Sequence, residues 1–190
     1  MKKFELTTDT KMHLGLKLFR IKALVSFGDV EKGTLGGYVE KEENLDHEGN
    51  AWVYDDAWVC GNAKVCGNAK VYRNAKVCGN ADVYGNAFVC GNAKVCGNAD
   101  VCGNAMVCDN AWVSDNADYA TVKGFGTQCR ATTFFKCKDR KIHVACGCFK
   151  GTIEDFRKQV KATRTGKIEK EYLMIADLME LHFEKDESEE

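Results

Sequence analysis

The sequence predicts a mainly β chain wound into a solenoid, and three observations carry that prediction. Residues 49 to 120 are one six-residue phrase written twelve times without a gap, from Gly49-Asn50-Ala51-Trp52-Val53-Tyr54 to Asp115-Asn116-Ala117-Asp118-Tyr119-Ala120. Alanine holds the third place in all twelve copies and valine the fifth in eleven, with Tyr119 taking it in the last. Two positions apart, these side chains point to the same side of a strand. Asparagine holds the second place in all copies but one, where Asp56 stands, and glycine opens most of them. Gly-Asn suits a corner, because both residues tolerate positive φ. Each phrase is therefore a very short strand with one small and one branched inward residue, followed by a turn. One phrase cannot bury its inward face, but stacked coils can. A helical reading fails, since the period is six and glycine recurs throughout.

The flanks read in order. Residues 1–48 form an N-terminal hairpin and an irregular capping coil: a strand near Lys3 to Thr7, a turn around Thr8-Asp9-Thr10, a longer strand from Met12 to Phe27, then a glycine-rich entry coil over 28–48. Such a coil covers the first open edge, which a solenoid needs to avoid edge-to-edge pairing. Residues 121–183 hold a second hairpin, Thr132 to Cys137 and Ile142 to Cys148 around a turn at Lys138-Asp139-Arg140-Lys141. Thr152 with Asp155 three residues later signals a helix start, and Ile153, Phe156 and Val160 give that helix its apolar stripe. A second helix runs from about Ile168 to Phe183, and 184–190 is an acidic tail.

Composition narrows the function. The net charge of −1 over 190 residues argues against general DNA binding through charge. No apolar run reaches membrane-spanning length, and no signal-peptide core follows Met1. Seven of the eleven cysteines recur at one phase of the repeat (Cys60, Cys66, Cys78, Cys90, Cys96, Cys102, Cys108), which is repetition and not a disulfide framework. A reducing cytoplasm is the expected home.

The phrase Val-x-Gly-Asn-Ala-x resembles the hexapeptide repeat of left-handed parallel β-helix proteins, over all twelve copies. The entry Lys32-Gly33-Thr34-Leu35-Gly36-Gly37-Tyr38-Val39-Glu40 and the segment Gly147-Cys148-Phe149-Lys150-Gly151-Thr152-Ile153-Glu154-Asp155-Phe156 resemble hexapeptide-repeat proteins of bacteria and their phages, with no activity attached. The resemblance implies a left-handed parallel β-helix with three hexads per coil, four regular coils and a homotrimer, to which the flank reading adds a C-terminal ββαα region. Columns 18 residues apart then stack roughly 4.8 Å from each other.

Those columns give three outward faces. The first stacks Trp52, Lys70, Phe88 and Met106 beside Tyr54, Tyr72, Cys90 and Cys108. It is too apolar for water, so a neighbouring subunit or the C-terminal helices should cover it. The second stacks Trp58, Lys76, Lys94 and Trp112. Lysines hold phosphates and indoles stack on bases, which makes this column the ligand-binding candidate. Against it stands the plainer reading of solvated lysines with the two rings packed under end caps. The third face stacks Lys64, Asp82, Asp100 and Asp118, best read as solvated surface.

Acyl transfer, familiar on this fold, needs a general base. The four histidines are His13, His47, His143 and His182, and none lies in the hexads. His47 and His143 are the alternative catalytic residues, at a subunit boundary. The three zinc histidines of the γ-class carbonic anhydrases are missing too. Cys137, Cys146 and Cys148 read as small buried hydrophobes on one hairpin face with Ile142 and Val144, so no metal and no cofactor is expected. The reading as a whole is a non-enzymatic oligomeric binding or scaffold protein, phage-like, that recognises a protein partner or sequesters a small anionic, nucleotide-like ligand. A hexapeptide-repeat acyltransferase using acyl-CoA is the alternative.

Overall fold

The computed structural model describes residues 1–13 and 15–184; apart from Glu184, the expected acidic tail lies outside the described residues. Strands β1 (Phe4–His13) and β2 (Leu16–Ala23) pair antiparallel. Their turn is not at Thr8-Asp9-Thr10. Those residues make a bulge in the pairing, where Thr7 Oγ1 accepts the Asp9 N–H at 3.2 Å. The chain reverses further on, where Gly15 takes a φ of 83°. Next come β3 (Leu35–Val39) and a 3-10 turn at Glu42–Asn44.

The hexads then supply two-residue strands: β4 (Trp52–Val53), β5 (Trp58–Val59), β6 (Lys64–Val65), β7 (Lys70–Val71), β8 (Lys76–Val77), β9 (Asp82–Val83), β10 (Phe88–Val89), β11 (Lys94–Val95), β12 (Asp100–Val101), β13 (Met106–Val107) and β14 (Trp112–Val113). Trp52 pairs with Lys70, Lys70 with Phe88 and Phe88 with Met106, always in parallel, so one coil is three hexads. The result is a parallel β-solenoid of about four turns. Its sides are β4-β7-β10-β13, β5-β8-β11-β14 and β6-β9-β12, and β3, β2 and β1 prolong the second side upward. From Ala51 to Val113 every inward alanine and valine is fully buried. Outside, the corner asparagines form ladders, as in Asn62 to Asn80 to Asn98, each step an amide bond of 3.1 Å.

The ladder has a sense. Most bonds between coils run from an N–H of one coil to a carbonyl of the next, as in Asn62 N to Gly79 O at 2.8 Å and Lys64 N to Ala81 O at 3.0 Å, while the parallel pairing of the two-residue strands sends the valine N–H back to the coil before. The first coil therefore presents mainly carbonyls that need donors, and the last mainly N–H groups that need acceptors. The flanks supply both, together with a top acceptor, Glu40 Oε2 for Gly61 N at 2.6 Å, and a bottom donor, the Tyr119 hydroxyl for Asp100 O at 2.6 Å. At the top, the Asn44 amide donates to Gly61 O at 3.1 Å and Ala63 O at 2.8 Å, and the Lys3 ammonium donates to Ala51 O at 3.0 Å. At the bottom, Asn116 Oδ1 accepts from Asp100 N at 2.7 Å, Thr133 Oγ1 from Met106 N at 2.9 Å and Asp118 Oδ2 from Ser114 N at 2.9 Å.

The C-terminal region is a four-stranded antiparallel sheet in the order β15 (Tyr119–Val122), β16 (Thr132–Lys136), β17 (Ile142–Cys146), β18 (Phe149–Thr152), followed by α1 (Ile153–Thr163) and α2 (Gly166–Phe183). The expected strand Ile142 to Cys148 breaks at Gly147, whose φ of 60° turns the chain into β18. The Thr152 hydroxyl caps α1, accepting the Asp155 N–H at 3.2 Å. One side of the sheet, with Phe135, Cys137 and Ala145, closes the solenoid core. The other, with Phe134 and Val144, packs on Phe156, Tyr172 and Met179 of the helices. Cys137 thus lies opposite Val144, not beside it: Phe135 pairs with His143, and Cys137 follows the parity of Phe135.

Candidate functional site

In-register pairing stacks Trp58, Lys76, Lys94 and Trp112 on successive rungs of the second side. The end of the β1–β2 hairpin overhangs this column. His13 lies against the Trp58 ring with centroids 4.5 Å apart, and Leu18 and Tyr38 bury the indole together with Cys60. Trp58 is 6% exposed and Trp112 39%, so the first is a wall and the second an open plate. From the other end the turn after β16 brings in Lys138. These groups enclose a cleft of about 530 Å³, within the usual size of small-molecule sites.

The cleft is cationic. Lys94 Nζ stands 4.3 Å and Lys138 Nζ 5.6 Å from the centre of the Trp112 ring, and Lys76 Nζ 5.5 Å from that of Trp58. No carboxylate lines it, and none of the three lysines forms a salt bridge among the described residues. A cation–π contact leaves the ammonium charge uncancelled. Cys78 lies in the same cleft. A hydrogen bond from Cys60 holds its thiol below the ordinary range against the opposing effect of burial, with Lys94 helping. Lys138 and His13 are the site residues that reading columns alone misses, since both come from outside the hexads, whereas Cys78 stands in the column beside the lysines.

The two ends of the first side are covered within the chain, by its N-terminal cap and its C-terminal sheet. Trp52 is fully buried against Phe4 and Phe27. Tyr54 donates its hydroxyl to Asp29 at 2.9 Å, and Lys70 pairs with the same carboxylate at 2.7 Å. Cys90 and Cys108 are buried where the C-terminal sheet meets the coils, and Lys150 approaches Cys90 Sγ at 3.9 Å. Between the two caps, Tyr72 and Phe88 pack edge to face, with Phe88 and Met106 half-buried. On the third side, Asp118 leaves its column. It turns inward to accept from the Ser114 hydroxyl at 2.8 Å and Lys136 at 3.1 Å.

His47 stacks on Phe4 with centroids 4.4 Å apart. Its Nδ1 accepts the Lys3 N–H at 3.1 Å, which fixes the proton on Nε2, and Nε2 bonds Glu42 at 2.7 Å. Both nitrogens are engaged, so no lone pair is free to take a substrate proton. His143 sits on the sheet side facing the solenoid, with Nε2 3.2 Å from Asp139. It does not meet the cleft. One further surface stands out: Met174, Leu178 and Leu181 of α2 are 70%, 55% and 67% exposed and share one helical stripe.

No protein-family model matches the chain, and no curated protein matches it. No helix among the described residues is long and apolar enough to cross a membrane.

Proposed function

We propose that the chain is a non-enzymatic, oligomeric binding protein of the hexapeptide-repeat type, whose cleft on the second side sequesters a small anionic, nucleotide-like ligand. One observation carries the reading: three lysines without acidic partners converge over two indoles in a cleft free of carboxylates. Lys76, Lys94 and Lys138 would hold phosphate oxygens, and a base would stack on the open face of Trp112. The expected homotrimer finds support in the exposed Met174, Leu178 and Leu181 stripe and in the half-buried band of Phe88 and Met106. All eleven cysteines are free thiols, which suits a reducing cytoplasm.

Native mass spectrometry of protein purified from cells, without added ligand, tests this. The expected result is a trimer carrying a discrete extra mass that matches a nucleotide and disappears in a Lys76→Ala, Lys94→Ala double variant. A nucleotide mass that survives the double variant removes the cleft from the reading. Turnover of acyl-CoA that stops on His143→Ala replaces the reading with the acyltransferase.

A further inference from the structure

The turn that carries Lys138 holds a second constellation. Cys137 follows β16, Asp139 sits in the turn and His143 follows the start of β17. The sulfur, one carboxylate oxygen and one imidazole nitrogen all lie within 4.8 Å of one another. We propose that Cys137, Asp139 and His143 bind one divalent transition-metal ion, zinc above all, with water as the fourth ligand.

The turn positions each donor separately. Cys137 N donates to Lys141 O at 3.1 Å and Arg140 N to Cys137 O at 2.9 Å, so the loop closes tightly beneath the sulfur. Asp139 Oδ1 accepts the Lys141 N–H at 3.0 Å, which turns Oδ2 toward His143 Nε2 at 3.2 Å. The His143 ring lies nearly parallel to Phe135, at 22° and 6.4 Å, and Phe135 is itself buried, so the imidazole plane is set by packing. Tetrahedral ligands bound at about 2.0–2.3 Å lie roughly 3.4 Å apart. The nitrogen and oxygen already meet that spacing, and a side-chain rotation of about an ångström brings in the sulfur.

The donor set selects the metal. One thiolate, one imidazole and one carboxylate suit zinc and cobalt, whereas calcium and magnesium take oxygen alone. Cys137 is 6% exposed. Burial pushes its thiol up to about 12, with the Asp139 and Asp109 charges adding to the effect. An ion would reverse this, since the thiol gives up its proton to solvent as the metal–sulfur bond forms and the cation balances the carboxylates. Lys138, Arg140 and Lys141 lie in or beside the turn and work against binding, which points to a metal held by bonds to its donors and not by general attraction. Asp139 is half-exposed, so the fourth position opens to water. Lys138 lies between two of the ligands, so a bound ion would also fix one rim of the cleft. The proposal stands without the ligand reading.

Cobalt(II) titrated into reduced, metal-stripped full-length protein tests it. One equivalent should produce the visible bands of a tetrahedral site and a sulfur-to-cobalt charge-transfer band, both removed by zinc. His143→Ala and Cys137→Ser should each weaken binding at least tenfold, and Cys78→Ser with Cys90→Ser should leave it unchanged. Asp139→Asn keeps the bond to Lys141 N–H and so the fold, and it too should weaken the signal. A spectrum untouched by His143→Ala and Asp139→Asn, or lost on Cys78→Ser with Cys90→Ser, places the metal on the cysteine columns and overturns the proposal. No tetrahedral spectrum with micromolar cobalt overturns it outright.

Discussion

Asn44 is the side chain on which the first coil depends most directly. It is fully buried, and its amide makes three bonds: Nδ2 to Gly61 O at 3.1 Å, Nδ2 to Ala63 O at 2.8 Å, and Oδ1 from Lys41 N at 3.0 Å. Asn44→Ala removes all three and leaves two carbonyls and one N–H without their partners. At about 1 kcal/mol for each bond, the loss is about 3 kcal/mol. Asn44→Asp should be worse than alanine, because a carboxylate sets an acceptor against two acceptors. Urea unfolding reads this out. With a slope of about 2–3 kcal/mol per molar for a chain of this size, the alanine variant should lose roughly 1–1.5 M in midpoint. Asn98→Ala, which removes a solvent-exposed ladder amide, is the control and should move the midpoint by no more than about 0.2 M. A loss below about 0.3 M for Asn44→Ala, or an aspartate tolerated as well as alanine, refutes the argument that donors are required at this end.

Three further outcomes follow from the same contacts. Trp52 is fully buried and its indole N–H has no partner among the described residues, so Trp52→Ala should cost about 3–5 kcal/mol while Trp52→Phe, which also deletes the orphaned donor, costs much less, as thermal melts would show. Burial pushes the Asp118 carboxyl up, but the Ser114 N–H and hydroxyl and Lys136 outweigh it and leave it below the usual range. Its stabilisation is therefore complete above the unfolded value near 4 and lost as pH falls through the lower folded one, so Asp118→Asn should destabilise at pH 7 and flatten the acid limb of a stability–pH curve. Cys78 should react with iodoacetamide at pH 7 ahead of Cys66, whose thiol burial pushes up, and Lys94→Met should slow it; mass spectrometry of partly labelled protein would rank the sites.

The repeat made the solenoid legible because its period reports burial directly: the alanines and valines at the inward places are buried from Ala51 to Val113, and only the twelfth phrase departs, with Ala117 exposed in a 3-10 turn. The columns were legible for the same reason, once the coil length was set at three hexads. The ends were not. Asn44 occupies the corner place one coil above Asn62, yet it bonds backbone and not the ladder, and nothing in a single residue announces that switch. The coverage of Trp52 by Phe4 and Phe27 depends on where the hairpin turns, and Gly15 decided that against the more turn-like Thr8-Asp9-Thr10. Trp58 and Trp112 looked equivalent in sequence and differ in the fold, because only the first lies under the hairpin. The approach of Cys137 to His143 follows from strand register, and the break at Gly147 shows how easily that register is misread.

The uneven sense of the backbone ladder has a consequence for assembly. The backbone groups left by the first coil at the top and by the last at the bottom are complementary and repeat with the same spacing, so one bare end is a template for the other. A chain stripped of both flanks would be a monomer for an unbranched filament that grows end on end without limit. Chains joined top to top would meet carbonyl against carbonyl at most positions and pair poorly. Lys3, Asn44, Asn116 and Thr133 are in that sense chain terminators: they cap a polymer at one copy by supplying to each end the chemistry that the next copy would have brought.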